Sequence, residues 1–214
     1  MMKSVLIAVV SAVQAYLLGS IDTGILVSKF LYHDDVRKYG SGAAGMTNML
    51  RTFGKKAAAL TAFGDVLKGV LAVCIGRWLF TLMPESTTLS PYLAVYLAAI
   101  FAIIGHLKPL YFGFKGGKGI LCSGTLLLLL DWRIAAVGWG LFLLLWLTTR
   151  YVSLGSVTGA FSFPVTTLLF FRGNWTVFAL SLAIAALVIW AHRSNIGRLL
   201  HGTESRFRWH TDAP

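Results

Sequence analysis

A chain of 214 residues that is 57% hydrophobic, 13% charged and of mean hydropathy +0.73 is too apolar for a water-soluble domain, where about a quarter of residues carry charge. Its 19 Lys and Arg against 8 Asp and Glu leave a net charge of +11, an excess that must collect outside the hydrocarbon and meet anionic lipid or an anionic substrate. The few acidic residues, with Asp34–Asp35 the only adjacent pair, do not cluster as a Mg²⁺ site requires, so no metal, no cofactor and no nucleic-acid partner is expected.

Crossing a bilayer takes about 20 apolar residues in a helix, with shorter stretches tolerated in bundles. By that measure the chain is an all-α, polytopic integral membrane protein with seven transmembrane helices, forming a single domain over residues 1–214. The spans are expected near residues 4–30, 57–83, 91–105, 119–131, 133–149, 153–171 and 175–191. The start, "MMKSVLIAVVSAVQAYLLG", has traits of a cleaved signal peptide. The apolar run continues through "ILVSKFLY", however, and the positive charges follow it, as in a retained first span. Asp22, Asp65 and Lys68 lie within spans; Asp65 and Lys68 are three apart on one helical face and predict a structural ion pair, since intramembrane charges normally pair. The fourth span is short, and the "DWR" turn after it is tight. Cys74 and Cys122 have no Cys or His at metal spacing and read as small core residues.

The connections after spans one, three, five and seven, with the C-terminal tail, hold thirteen Lys and Arg. The opposite side holds three, Lys3, Arg133 and Arg172. This bias predicts an outside N-terminus and a cytoplasmic C-terminus. Each basic connection also carries a polar motif, and the outer ones, "PEST", "DW" and "RGN", do not. The chemistry is therefore expected on the cytoplasmic face.

The first motif, "YGSGAAGMTNMLRTFGKK", has Gly40, Gly42 and Gly45 to let backbone N–H groups converge on a phosphate. Ser41, Thr47 and Asn48 add neutral donors, and Arg51 adds a two-pronged cation. The second, "GHLKPLYFGFKGGKGILCSG", sets Lys115 and Lys118 around Gly116 and Gly117 before a helix start. It lacks P-loop spacing, so nucleotide hydrolysis is not implied. "TRYVSLGS" places Ser153 where it would cap the sixth span. "AHRSNIGRLLHGTE" places His192 and Asn195 on one face of a helix. Without a metal site, a nucleophilic cysteine or a His-x4-Asp pattern, such a site suits a substrate that arrives already activated.

In order and spacing over nearly the whole chain, these motifs resemble the bacterial acyl-phosphate:glycerol-3-phosphate acyltransferases, the PlsY family. The resemblance implies a plasma-membrane enzyme that moves a fatty acyl group from acyl phosphate to the 1-hydroxyl of glycerol 3-phosphate, releasing lysophosphatidic acid and inorganic phosphate. Its implied partners are those two substrates, membrane lipid and an upstream enzyme producing acyl phosphate. It further implies Ser41, Gly42, Gly45, Thr47, Asn48, Lys115, Gly116, Gly117 and Lys118 around the substrate phosphates. Arg51, Ser153, His192 and Asn195 are implied in catalysis, with Glu204 as structural support. The chain departs from the family pattern at Ala43 and Ala44, where an Asn and often a Pro are usual, a change expected to loosen the first loop or to alter donor affinity. His192 and a phosphate oxygen of the donor are both candidates for the hydroxyl proton. An organic-phosphate transporter and an inactive lipid-phosphate-binding relative are the competing readings.

Overall fold

Interruptions of the apolar runs decide where the helices of this protein begin and end. The computed structural model describes residues 2–83 and 91–207. The "PEST" connection and Arg208 lie outside them. Among the described residues the fold is all-helical, with no strand. In chain order it comprises α1 (Met2–Gly19), α2 (Thr23–Tyr32), α3 (Met46–Thr81), α4 (Pro91–Leu107), α5 (Ile120–Leu130), α6 (Trp132–Thr149), α7 (Val152–Phe170), α8 (Trp175–Ala191) and α9 (Arg193–Leu200).

The expected first span is not one helix. It breaks between α1 and α2, where Asp22 accepts the Ile25 N–H at 3.3 Å and caps α2. The predicted Asp65–Lys68 pair is present, with Lys68 Nζ 2.8 Å from Asp65 Oδ1 and both side chains buried. Lys68 also donates to the Ile21 carbonyl at 3.0 Å, satisfying an acceptor that the break leaves open.

Five stretches are long and apolar enough to cross a membrane: Met2–Tyr32, Met46–Thr81, Tyr92–Phe112, Trp132–Thr149 and Val152–Phe170. α8 and α9, bent by 60°, make a sixth if taken together. The expected fourth span is α5, whose 11 residues rise about 17 Å, roughly half of the hydrocarbon core. Asp131 closes it by taking the Arg133 N–H at 2.8 Å and starting α6. The seven expected spans, the fourth of them short, thus correspond to five or six stretches that meet this measure by length and composition, together with the short apolar α5.

α1 lies along α3 and α4, α6 pairs with α7, and α7 with α8. α5 and α8 join these groups by packing on α3 or α4. Close approach of α1 and α4 is permitted by the fully buried Ala15, Ala98, Ala99 and Ala102. Outward-facing Phe30, Phe63, Trp78, Leu144, Leu147, Phe161 and Trp175 remain exposed, as lipid-facing side chains do.

A cavity at four helix starts

The first motif closes on Asn48. Its Nδ2 lies 3.2, 3.0 and 3.0 Å from the carbonyls of Val36, Tyr39 and Ala43, and its Oδ1 accepts the Ser41 N–H at 3.1 Å. This buried amide ties four points of the loop together, so its donors already have backbone acceptors. Ala43 contributes only its carbonyl, and Ala44 is fully buried beside Ile25, Val36 and Met49. The loop thus closes without side-chain amide or proline at 43 and 44. Gly42 makes a turn bond to the Tyr39 carbonyl. At Gly54, φ of +84° breaks α3, and residues 46–53 form a separate short helix carrying Arg51.

Around this loop lies a cavity of about 580 Å³. Ser41, Gly45, Thr47, Asn48, Arg51, Lys118, Ser153, His192, Asn195 and Glu204 all line it. Lys115, Gly116, Gly117 and Gly42 do not. Lys115 is exposed, and the two glycines pack against His106, which itself borders the cavity. Sequence reasoning gave Arg198 of the last motif no role at the site and read Asp65 only as half of a structural ion pair, and it missed His106, Trp139 and Phe142. The last two lie on apolar helices, where periodicity cannot separate a cavity wall from packing.

Among the helices whose starts are described with their capping residues, the helix ends divide in two groups. α2, α6 and α8 begin with side-chain caps from Asp22, Asp131 and Asn174. α3, α5, α7 and α9 begin with none; the first residues of α3, α5 and α7 line the cavity, as do His192 and Asn195 at the start of α9. Helix starts carry the positive ends of the helix dipoles, and together with Arg51, Lys118, Arg198 and Arg206 they favour an anion in this cavity. Trp139, Phe142, Ile120 and Leu121 give the same cavity an apolar wall.

Ser153 does not cap α7; it sits inside that helix and donates to Glu204 Oε1 at 2.7 Å. Asn195 donates to the same oxygen at 2.7 Å, and Arg198 Nε to Oε2 at 2.7 Å. Burial works against the Glu204 charge, but these three donors outweigh it and hold the carboxyl below its usual range. Glu204 thereby fastens the segment after α9, whose Phe207 N–H continues to the Arg150 carbonyl at 2.7 Å. Arg51 approaches this segment at Ser205 O, 3.4 Å away.

His192 Nδ1 lies 2.8 Å from the Val188 carbonyl, which only accepts, so the ring carries its proton on Nδ1 and leaves Nε2 an open acceptor. Burial, then the charge of Arg198, push the Lys118 ammonium down to about 8, with Arg51 adding to the effect and Glu204 opposing it.

The family model for glycerol-3-phosphate acyltransferases matches residues 9–202. A glycerol-3-phosphate acyltransferase of Clostridioides difficile (strain 630) is 43% identical over 198 residues, 92% of this chain and 94% of its own. A crystal structure of PlsY (YgiH), an integral membrane glycerol 3-phosphate acyltransferase in its glycerol 3-phosphate form, superposes with a TM-score of 0.81 at 35% identity. That likeness covers 94% of this chain and 96% of the other. The lysophosphatidic acid form gives 0.78 at 33% identity, covering 94% and 95%.

Proposed function

The chain belongs to the glycerol-3-phosphate acyltransferase family, and from that premise we propose that it transfers a fatty acyl group from acyl phosphate to the 1-hydroxyl of glycerol 3-phosphate. The observation carrying this reading is the convergence of four helix starts without side-chain caps and four cationic side chains, Arg51, Lys118, Arg198 and Arg206, on one cavity with an apolar wall. Such a cavity suits two phosphorylated substrates, one of them with a hydrocarbon tail. The proposed setting is a bacterial plasma membrane with the motif loops and C-terminus cytoplasmic, and the whole chain acts as one domain. An enzyme that makes acyl phosphate supplies the donor.

An acyl phosphate is a mixed anhydride with a reactive carbonyl and a good leaving group. The chain's task is to hold two anions in line and disperse their charge. We assign the donor phosphate to the first loop, at Ser41, Thr47 and the open amides beginning α3. The tail lies along Ile120, Trp139 and Phe142. Arg51, Lys118, Ser153 and Asn195 orient the acceptor, while Asn48 and Glu204 hold the frame. The acceptor oxygen bonds to the acyl carbon, the carbon–oxygen bond to phosphate breaks, and inorganic phosphate leaves.

Purified protein given palmitoyl phosphate is expected to release phosphate only when glycerol 3-phosphate is present, with one lysophosphatidic acid formed per phosphate. Release without acceptor, or vesicle uptake of glycerol 3-phosphate without acylation, would refute the reading.

His192 Nε2 and a phosphate oxygen of the donor are the two candidate acceptors for the hydroxyl proton. His192→Gln is expected to lower kcat by about a hundredfold or more if the imidazole takes it. A variant that keeps most of its kcat assigns that proton to the donor's own phosphate.

Lys118 sets a second expectation. Its depressed ammonium is charged below about pH 8 and neutral above, so kcat/KM for glycerol 3-phosphate should fall as pH rises through 8. Lys118→Arg, which stays charged, should carry that limb well above pH 9, and a pH–rate profile of both proteins checks it.

A further inference from the structure

Resting on this acyltransferase reading, we infer that His106 is a positioning residue for the acceptor site: buried Asp65 and Lys68 fix its ring, and the ring and carbonyl of His106 clamp the Gly116–Gly117 turn that delivers Lys118 to the cavity.

The buried Lys68 ammonium is ion-paired with Asp65 Oδ1 at 2.8 Å, donates to the Ile21 carbonyl at 3.0 Å and lies 2.8 Å from His106 Nδ1. An ammonium only donates, so Nδ1 of His106 must be an unprotonated acceptor. The neutral ring then carries its hydrogen on Nε2. Asp65 is 3.7 Å from Nδ1 and already faces Lys68, so among the described residues Lys68 chooses the tautomer. Lys68 thus stands between the two, ion-paired with Asp65 and donating to His106.

The other edge of the ring meets the second motif. Gly117 donates its N–H to the His106 carbonyl at 3.1 Å. A Cβ on Gly117 would overlap His106 Nε2, and one on Gly116 would overlap the His106 carbonyl oxygen. The paired glycines are therefore the space in which one histidine is gripped, which explains why neither reaches the cavity while Lys118, immediately after them, does. His106 and Asp65 border the cavity as well, so the turn cannot shift without reshaping the wall beside Lys118.

The test measures kcat and KM for glycerol 3-phosphate, and calorimetric binding of glycerol 3-phosphate without donor, in detergent-solubilised full-length variants. His106→Ala and Gly117→Ala should each raise KM and Kd for the acceptor about tenfold or more, with kcat within about threefold. The double variant should be no worse than the poorer single one, because both changes undo the same contact. His106→Gln, whose longer side chain can fill the space where Nε2 packs on Gly117, should recover most of the affinity. His106→Asn, which reaches Lys68 but not Gly117, should not. Multiplying effects in the double variant, a kcat loss with unchanged KM, or equal behaviour of the Gln and Asn variants would overturn the inference. Should His106→Ala fail to fold, the Gln–Asn contrast decides alone. A wild-type protein that binds glycerol 3-phosphate without acylating it would sink the functional reading while leaving the Kd comparison intact.

Discussion

Arg51→Ala is expected to lower kcat/KM for glycerol 3-phosphate about a thousandfold while leaving the fold in place. Arg51 stands on the short helix of residues 46–53, set off by the break at Gly54, and lines the cavity. Its one described hydrogen bond is long, 3.4 Å to the Ser205 carbonyl, and among the described residues no carboxylate forms an ion pair with it. Glu204, the nearest candidate, already takes Arg198 at 2.7 Å. The guanidinium therefore keeps its donors for a substrate phosphate, and removing it costs little native bonding. Arg51→Lys should recover about tenfold of the loss, since the charge returns but the two-pronged donor geometry does not. Turnover and thermal unfolding measured together provide the check. A variant retaining kcat/KM within about threefold would mean that Arg51 does not touch the reacting phosphates.

The second large effect belongs to Glu204→Ala, expected to destabilise the protein by about 3 kcal/mol and to lower activity a hundredfold or more. Three donors, Ser153 Oγ, Asn195 Nδ2 and Arg198 Nε, would lose their shared carboxylate. The segment from His201 to Phe207 would lose its anchor beside the cavity, and the Arg198 charge would lose its counterion. Glu204→Gln keeps one acceptor and should fall between the two. Because Glu204 is a frame residue, its loss should appear in the melting temperature as well as in kcat. A large kcat loss with an unchanged melting temperature would place Glu204 among the groups that touch substrate.

Asn48 shows how far sequence reading reached and where it stopped. Its place in a glycine-rich, cationic loop marked it as a phosphate donor, yet its amide is occupied by backbone carbonyls from residues 36 to 43. A side-chain amide beside glycines suits either task, and only the path of the chain decides between them. The second motif divided in the same way, with Lys118 entering the cavity while Lys115 stays outside.

By itself, the sequence determined an all-helical membrane protein with its charge and polar motifs gathered in alternate connections. Apolar run length and Lys/Arg placement are local properties, and they need no partner to be legible. It also determined the Asp65–Lys68 pair, because residues three apart on one helix must meet. Only the tertiary structure decided that the first span breaks at Asp22 and that the starts of α3, α5, α7 and α9 meet at one cavity. His106 and Gly117 lie 11 positions apart, and Ser153 and Glu204 lie 51 apart. Such partners are chosen by the packing of helices against one another, a long-range free-energy balance that no single motif encodes.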